Sequence, residues 1–416
     1  MSKTKEITPK LRFPEFAKIA DWKLKILGEV CDYWNGSSHE SGVDENGEYY
    51  LISLNSIDIE GNLKSEMKRI SYTDNSLQKD DLVMVLSDVA HGNFLGLTDI
   101  IPNNKYVLNQ RMAGLRIKDL MLANPFFIRT FINYNQKYFK ANGQGSSQLN
   151  LSKSSVTDFP ILLPSIQEQQ KIASCLSFLD DLISNHSQKL DLLKHHKKGL
   201  MQNLFPQEGE KVPKYRFKEF EKDGEWVEKS LEEVATILKG KGISKADIVE
   251  DGELPCIRYG ELYTHYNETI STVKSYTNSS PKDLILSKAN DVIIPASGET
   301  QIDIAKASCV LESGVALGGD LNIIRSKING VFLSYYLNNA KKHDIAQMAQ
   351  GIAVVHLYPN QLKTLKLQIP NPKEQQKIAL CLSTLEEIIT VLTEKIEQLK
   401  QHKNGLMQGL FPKMID

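Results

Sequence analysis

The side chains whose chemistry stands out in this sequence are those that can hydrogen-bond the edges of nucleobases. Asn and Gln can bond adenine bidentately, Lys and Arg bond guanine, and Ser bonds either a base or a phosphate. Such residues gather in short polar loops that contain glycine, which lets the backbone approach a ligand closely. The candidate DNA-binding residues are Ser37, Ser38, His39, Ser87, His91, Asn93, Gln144, Ser146 and Gln148 in the first half, and Lys239, Lys241, Ser244, Lys245, Ser297, Thr300, Gln301, Gln350 and His356 in the second.

Each of these loops also fits a simpler interpretation. Polar, glycine-bearing loops are ordinary turns between strands and helices. Taken singly, each loop fits an ordinary turn better than a DNA contact. What strengthens the DNA interpretation is that the loops recur at matching places in the two halves of the chain.

The patterns of the common catalytic classes are missing from the sequence. The string nearest to a phosphate-binding loop, at residues 240–245, has the wrong spacing, and there is no H-E-x-x-H pair. Asn124-Pro125-Phe126-Phe127 is similar to the N-P-P-F with which amino-methyltransferases hold a flipped base, but it lacks the second proline. We interpret it as a turn that enters a helix. The chain is therefore predicted not to be an enzyme by itself, with no catalytic residue, metal or cofactor of its own.

Length, charge and cysteine content narrow the class of protein further. The chain has 416 residues, enough for two or more domains, and a net charge of −1. A protein that holds DNA through many phosphate contacts is usually basic, so we expect a partner to supply much of that contact. The five cysteines lack metal-ligand spacing, which indicates reduced thiols. A polar N-terminus and the lack of any long apolar run predict a cytoplasmic protein without membrane association.

A repeat spans the whole chain. Residues 168–206 and 374–412 align without a gap at an offset of 206, and 23 of 39 positions are identical. Residues 12–30 repeat at 216–234, at an offset of 204, through shared Arg, Phe, Glu, Trp, Leu and Val residues. The order is therefore domain, helix, domain, helix.

The two halves resemble each other unevenly. Between residues 126–164 and 332–370 only six of 39 positions agree. Closely matching helices suggest one task performed twice, such as contacting two copies of one partner, while differing domains suggest related tasks on different targets. The alternative is a recent duplication in which coiled-coil packing slowed the divergence of the helices.

Both repeated segments carry the periodicity of a coiled coil. Apolar residues recur at alternating spacings of four and three from Ile172 to Leu204 and from Ile378 to Leu410. Ser165, three residues before Glu168, predicts a capping box, and Asn371 predicts an N-cap for the second helix. Two equal helices in one chain most simply pair antiparallel with each other, and pairing in a homodimer is the alternative. The basic run at residues 194–198 is interpreted as cations favoured near a helix C-terminus.

The remaining segments alternate short strand-like runs with turns. Runs at residues 49–52, 82–85 and 161–163 in the first half, and 291–294 and 365–367 in the second, have the composition of strands. Helical stretches are predicted near residues 125–138 and 330–343. The predicted fold class is α+β: two similar target-recognition domains separated by a long antiparallel coiled coil of two helices, with a pseudo-two-fold internal repeat.

Taken together, these motifs resemble the specificity subunit of type I restriction–modification systems. The resemblance is carried by L-R-F-P-E-F at residues 11–16, by P-x-x-x-E-Q-Q-K-I at residues 164–172 and 370–378, and by G-L-M-Q-x-L-F-P at the end of each helix. It covers nearly the whole chain. The corresponding segments are a first target-recognition domain at 1–164, a central helix at 165–206, a second domain at 207–370 and a C-terminal helix at 371–416.

The resemblance implies a division of labour among subunits. Each domain is expected to read one half of a bipartite, asymmetric site in double-stranded DNA, while the helices set the spacer. Two methyltransferase subunits that use S-adenosylmethionine to methylate adenine are expected to bind the helices. Two restriction subunits, which are ATPases and nucleases that need ATP and Mg, are expected to join them.

Two other classes of protein remain alternatives. A two-domain coiled-coil adaptor for protein ligands would lack sequence-specific DNA retention and would not co-purify with a methyltransferase. A self-sufficient methyltransferase would bind the cofactor through this chain alone.

Overall fold

In the computed structural model, residues 8–19, 21–89 and 92–412 are described, and the chain divides into two compact units. Unit 1 comprises Met1–His186 and Lys395–Asp416, and unit 2 comprises Ser187–Glu394. Both long helices are divided between the units, so each unit contains one mixed domain and one half of each helix.

In unit 1 short strands alternate with short helices. The strands are β1 (Lys23–Ile26), β2 (Cys31–Asn35), β3 (Tyr49–Ile52), β4 (Arg69–Ile70), β5 (Leu82–Val85), β6 (Ser87–Val89), β7 (Thr98–Ile100), β8 (Tyr106–Leu108), β9 (Met112–Ile117), β10 (Gln148–Asn150) and β11 (Pro160–Leu163). The helices are α1 (Leu27–Val30), α2 (Pro125–Tyr134), α3 (Gln136–Asn142), α4 (Lys153–Thr157) and the long α5 (Ile166–Asn203), which continues into unit 2.

The domain of unit 2 repeats this order with additional short strands. Its strands are β12 (Val227–Ser230), β13 (Ala235–Lys239), β14 (Ile248–Val249), β15 (Leu254–Ile257), β16 (Thr269–Ile270), β17 (Ser275–Thr277), β18 (Asp291–Pro295), β19 (Ser297–Gly298), β20 (Ser308–Val310), β21 (Ala316–Leu317), β22 (Leu321–Ser326), β23 (Val355–His356) and β24 (Lys366–Ile369). Its helices are α6 (Leu231–Val234), α7 (Tyr259–Thr264), α8 (Gln301–Ile304), α9 (Gly330–Asn338), α10 (Lys342–Met348), α11 (Pro359–Lys363) and the long α12 (Pro372–Leu410), which ends in unit 1.

The sheets of the two domains correspond. In unit 1 an antiparallel sheet has the order β2-β9-β5-β7, and in unit 2 the equivalent sheet has the order β13-β22-β18-β20-β16. The pairs β1–β11 and β12–β24 join the start of each domain to its end, and the pairs β6–β10 and β19–β23 lie among the loops. The α+β repeat predicted from the sequence is confirmed.

The predicted strands are found, but each predicted domain helix is two helices. Four of the five strand-like runs fall within β3, β5, β11 and β18, and the fifth, at residues 365–367, overlaps β24 from Lys366. The helical stretch near residues 125–138 breaks at Asn135, whose side-chain amide donates to Phe131 O at 2.9 Å and closes α2. The second stretch is also divided, between α9 and α10, where the backbone N–H of Asn339 donates to Tyr336 O.

Each domain core takes residues from the far end of a long helix. In unit 1, Phe411 packs against Trp22, Phe127 and Phe131, with ring centroids 5.6–6.5 Å apart. In unit 2, Phe205 stacks on Tyr336 at 5.3 Å. The L-F-P that ends each helix in the sequence therefore completes a domain core.

The long helices are antiparallel within both units. In unit 1, Ile172 near the start of α5 shares a core cluster with Leu410 at the end of α12. In unit 2, Ile378 near the start of α12 shares a cluster with Leu204 at the end of α5. The predicted seam residues face inward because their spacing places them on one side of each helix. Most of them are buried, while Ile183, Leu193, Leu200 and Leu406 are half-buried.

Candidate nucleic-acid interface

The first group of predicted site residues follows a crossing of two backbone segments. In unit 1 the Gly36 N–H donates to Met112 O at 2.9 Å, and the Ser37 N–H donates to Leu108 O at 3.2 Å. A Cβ atom on Gly36 would lie 2.1 Å from Asn109 O, so only glycine fits there. This crossing presents Ser37 and Ser38 as exposed side chains.

Unit 2 contains the same crossing. The Gly240 N–H donates to Leu321 O at 2.8 Å, and the Lys241 N–H donates to Leu317 O at 3.0 Å. A Cβ atom on Gly240 would lie 2.0 Å from Gly318 O. Lys241 therefore occupies the position of Ser37 in an equivalent backbone frame.

The two crossings carry different charge. Lys239, Lys241 and Lys245 are exposed and pair with no carboxylate in the described part of the chain. Ser244 bonds Asp247 at 2.6 Å and so closes the short turn in which Lys245 lies. In unit 1 the corresponding loop contains Glu40, and the bond from Lys68 at 2.7 Å lowers the pKa of this carboxyl group.

His39 is placed differently from its prediction as a base-contacting residue. Its side chain is buried, with Nδ1 3.0 Å from the Tyr72 hydroxyl and Nε2 3.3 Å from Asp74 Oδ2. The backbone N–H of His39 donates to Asn109 Oδ1 at 3.1 Å. These partners lie 33–70 residues away along the chain, and together they hold the ring inside the domain rather than at its surface.

A second group of predicted residues meets in a short-strand pair, β6 with β10. Ser87 lies opposite Asn150 in register, and its hydroxyl donates to Asn150 Oδ1 at 2.6 Å. The backbones of Gln144 and Asn150 exchange two hydrogen bonds of 2.9 Å. The turn between them presents Gln144 and Ser146 as exposed side chains, while Gln148 is half-buried and donates to Asn150 Oδ1 at 3.3 Å.

The short-strand pair of unit 2, β19 with β23, has the same frame. Ser297 lies opposite His356, with Ser297 Oγ 3.2 Å from His356 Nδ1. Gln350 and His356 exchange backbone bonds of 2.9 and 2.7 Å. Gln301 donates to Ala349 O at 3.4 Å and so joins this group. Thr300 is exposed and caps α8, where its hydroxyl accepts from the Asp303 N–H at 3.1 Å.

The two groups of loops meet at the start of one strand in each domain. In unit 1, Met112 O accepts from Gly36, and Arg111 O accepts from the Leu86 N–H at 3.0 Å, one residue before Ser87. In unit 2, Leu321 and Asp320 make the equivalent bonds. The structure therefore brings the predicted loops of each domain together.

Two predicted residues lie apart from this arrangement or outside it. Asn93 is exposed, and its backbone oxygen accepts from Gln136 Nε2 in α3 at 2.7 Å. His91 lies outside the described residues.

Three further residues of the candidate interface, Asn150, Arg111 and Asp320, were not predicted from the sequence. Asn150 stands 206 residues before His356, so the repeat offset could have identified it. Arg111 is exposed with a φ of 70° at the point where the loops of unit 1 meet, and Asp320 occupies the equivalent place in unit 2. No local motif marks Arg111, because its position depends on the pairing of distant strands.

A cavity of about 740 Å³ adjoins the short-strand pair of unit 2. The hydroxyl of Tyr263 donates to Ser297 O at 2.9 Å and supports the strand from below. Burial raises the pKa of Tyr263 and lowers the pKa of Lys306, which lines the same cavity.

The E-Q-Q-K-I motif of the first half joins its domain to α5. The guanidinium of Arg12 makes a bidentate pair with Glu168 at 2.8 and 2.7 Å, and Trp22 Nε1 donates to the same carboxylate at 3.4 Å. The bond to Glu168 raises the pKa of Arg12. Gln169 is buried and donates to Leu122 O and Pro164 O, while accepting from the Asn124 N–H. Buried polar groups with these partners are satisfied, so the motif has an intrachain role.

The second copy of the motif makes the same junction. Arg216 donates to Glu374 through Nε and Nη2, each at 2.8 Å, and Trp226 Nε1 donates to the same carboxylate at 3.3 Å. Gln375 accepts from the backbone N–H of Asn329 at 3.0 Å. Asn371 caps α12 as predicted, because its side chain accepts from the Glu374 N–H at 3.0 Å.

The capping box predicted for α5 is half correct. Ser165 Oγ accepts from the Glu168 N–H at 3.3 Å, as an N-cap should. In a complete capping box the Glu168 carboxylate would accept from the backbone N–H of Ser165. Here it accepts from Arg12 and Trp22 instead. Asn124 is likewise an N-cap, accepting from the Phe127 N–H at 3.0 Å, which agrees with its interpretation as a turn entering a helix.

Two lysines that interrupt the apolar spacing of the long helices, Lys197 and Lys403, form ion pairs. In unit 2, Lys197 lies 2.7 Å from Glu386 and 3.3 Å from Glu268. In unit 1, Lys403 pairs with Asp180. Lys197 and Lys403 are 206 residues apart, as are Asp180 and Glu386, so this contact occurs twice. Lys197 is thus a structural residue, while Lys194 and Lys198 on the same turn are exposed.

Comparison with known proteins agrees with this architecture. Residues 19–195 and 223–401 both match the family model described as the Type I restriction modification DNA specificity domain. The chain belongs to this family. It is a type I specificity subunit with two target-recognition domains, and the adaptor alternative is not favoured.

Similar proteins match along most of their length. The chain is 25% identical to the Type I restriction enzyme MjaVIII specificity subunit of Methanocaldococcus jannaschii, covering 96% of this chain and 93% of that protein. It is 23% identical to the putative MjaX specificity subunit of the same organism, covering 94% and 92%. A crystal structure of the type I S subunit from M. genitalium shares the fold, with a TM-score of 0.67, 15% identity and coverage of 98% and 100%.

Two properties of the described residues complete the site description. Among residues 8–19, 21–89 and 92–412, no helix is long and apolar enough to cross a membrane. Within the same ranges, no group of three His, Cys, Asp or Glu side chains is arranged to hold a metal ion.

Proposed function

We propose that each target-recognition domain of this chain reads one half of a bipartite, asymmetric DNA site for a type I restriction–modification complex. The observation that carries the proposal is the shared backbone frame of the two domains with unlike polar side chains at its loops. Ser37 is equivalent in position to Lys241 of the other domain, Asn150 to His356, and Arg111 to Asp320. Since these groups bond different base edges, equal frames with unlike side chains suit two different half-sites.

The chemistry of the complex is assigned to partner subunits. A methyltransferase subunit that binds S-adenosylmethionine would modify adenine, and a restriction subunit would use ATP and Mg to cleave. The chain itself would supply recognition only and work in the cytoplasm. Its net charge of −1 supports this division, because phosphate contacts beyond the loops would come from the partners.

The long helices are proposed to dock two methyltransferase subunits in equivalent ways. Many positions that are identical in α5 and α12 are buried or pair within the chain, so their identity is explained by packing. Others are exposed in both helices and are not explained by packing, although one of them, Lys400, also forms an exposed pair with Glu397 at 3.4 Å. These exposed identical pairs are Gln170 with Gln376, Lys189 with Lys395, Lys194 with Lys400, His196 with His402, and Gln202 with Gln408. A surface repeated in this way suits one partner bound twice.

Charge reversal tests the docking surface. Lys194→Glu should weaken one methyltransferase site and Lys400→Glu the other, so that native mass spectrometry shows one bound subunit in place of two. Lys198→Glu is the matched control, because Lys198 is exposed on the same turn but its counterpart is Asn404. Equal loss of partner in all three variants would mean that charge at the helix end, not a repeated surface, controls assembly.

Recognition is tested by methylome sequencing of a strain with and without the gene. We expect a bipartite motif with unlike halves to lose adenine methylation when the gene is deleted and to regain it on complementation. Unchanged methylation, together with absence of sequence-specific DNA retention by the purified complex, would favour an adaptor instead.

A further inference from the structure

The short-strand pairs of the two domains differ at one central position within a common frame. Asn150 and His356 each lie opposite a serine, Ser87 or Ser297, in antiparallel register. Both exchange two backbone bonds with the glutamine six residues earlier. The next residue donates to the strand opposite in both domains, at 2.8 Å in unit 1 and 3.0 Å in unit 2.

The side chain of Asn150 is exposed and already oriented. Its Oδ1 accepts from Ser87 Oγ at 2.6 Å and from Gln148 Nε2 at 3.3 Å, and its Nδ2 donates to Gln148 O at 3.2 Å. An amide has two N–H groups, so one remains without an acceptor in the described part of the chain. A base that replaced the 3.3 Å bond from Gln148 Nε2 would meet the Oδ1 acceptor and the free Nδ2 donor of Asn150 side by side. This is the pattern that suits adenine.

The ring of His356 offers a different pattern. Its Nδ1 lies 3.2 Å from Ser297 Oγ, and its Nε2 has no partner among the residues described. The ring lies 6.1 Å from that of Tyr358 at an interplanar angle of 29°. One free ring nitrogen can make a single hydrogen bond, as donor or acceptor according to the tautomer. It cannot bond adenine bidentately as an amide can.

We infer that Asn150 and His356 are equivalent specificity-determining residues, and that their difference contributes to the difference between the two half-sites. The inference rests on the proposed function. Ser87 and Ser297 are positioning residues, because each bonds the side chain opposite. Ser87 is itself buried, which fits this role better than direct contact with a base.

The test uses the full chain assembled with its methyltransferase subunit, and duplexes in which each base pair of the methylated motif is substituted in turn. Asn150→Asp keeps the shape and the acceptor but removes the amide donor. His356→Asn replaces the ring by an amide. Asn142→Asp and His343→Asn are the matched controls, since both residues are exposed on nearby helices, α3 and α10.

Asn150→Asp should lower affinity for the wild-type duplex about 5- to 100-fold and abolish discrimination at one position of one half-site. His356→Asn should do the same in the other half-site only. The half-site read by the unaltered domain serves as the internal check of folding. Ser87→Ala should reduce discrimination at the same base pair as Asn150→Asp, but by less, because the Asn150 amide remains and only its orientation by Ser87 is lost.

Several outcomes would overturn the inference. Discrimination identical to that of the control variants would show that neither side chain reads a base, and loss at both half-sites together would indicate a general defect. If the wild-type complex itself showed no sequence preference, the proposed function would be wrong. Wild-type preference that persists in Asn150→Asp would reject this inference alone.

Discussion

The junction between each domain and its long helix depends on one ion pair, and this dependence can be measured. Arg12 and Glu168 form a bidentate pair in which the side chains are 8% and 1% exposed. Removing one partner of a buried pair leaves the other charge without compensation, which costs about 3–5 kcal/mol. Arg12→Met should therefore destabilise unit 1 by about 3 kcal/mol, because Trp22 continues to donate to the remaining carboxylate.

Hydrogen exchange with mass spectrometry locates the effect. At 1.4 kcal/mol per tenfold, a loss of about 3 kcal/mol corresponds to roughly 100-fold faster exchange of the most protected amides. We expect this acceleration in α2 and β9 of unit 1 and no change in α9 and β22 of unit 2. Arg216→Met, which removes the equivalent pair with Glu374, should produce the opposite distribution.

Two further variants identify the cause. Lys171→Gln removes an exposed pair with Glu15 at 3.4 Å on the same turn, and its exchange rates should match those of the wild type within experimental scatter. The double variant Arg12→Met with Glu168→Met removes both charges and should recover part of the loss, since no buried charge remains unpaired. The reasoning is refuted if Arg12→Met exchanges like Lys171→Gln, or if it accelerates both units equally.

Three other predictions follow from the same contacts. Lys197→Ala should lower the melting temperature of unit 2, because Glu386 and Glu268 then lose their shared cation, and adding Glu386→Gln should restore part of it. Iodoacetamide at pH 8 should label half-buried Cys175 and Cys381 first in peptide mass spectra, because the other three thiols are buried. Burial raises the pKa of Cys381 as well, but it raises those of Cys31 and Cys309 to about 12 and that of Cys256 to about 11. Seven residues added to both long helices at facing positions preserve the heptad phase and lengthen each helix by about 10 Å. The spacer of the methylated motif should then be about three base pairs longer. An unchanged spacer would mean that partner subunits set the distance.

The long helices and the α+β class could be predicted because both rest on periodic patterns. The alternating spacing of four and three is a local property of the sequence, and it places Ile172 and Leu382 inward whatever the rest of the chain does. The strand at residues 82–85 is predictable for the same reason, since a short apolar run bounded by turns has few other uses. The helices and strands with such local patterns could therefore be predicted from the sequence.

Residues whose role depends on distant partners were the ones that sequence reasoning misjudged. His39 looked like a loop residue, but Tyr72 and Asp74 come from another turn and bury it. In the sequence Phe411 only marks the end of α12. In the structure it packs in the core of the first domain against Phe127, which lies about 280 residues earlier in the chain. Neither partnership has a local signal, because long-range packing decides both.

The repeat itself carries more information once the structure is known. Identity between the helices admitted two explanations, contact with the same partner twice or slow divergence of packed residues. At Glu168 and Gln169 the second explanation is sufficient, because both side chains are buried and fully bonded within the chain. At Lys194 it is not, because that side chain is exposed and forms no ion pair or hydrogen bond within the part of the chain that the structure describes. The motif that most clearly marks the family therefore reports how a domain is joined to its helix, and the evidence for a partner lies in exposed positions that no motif includes.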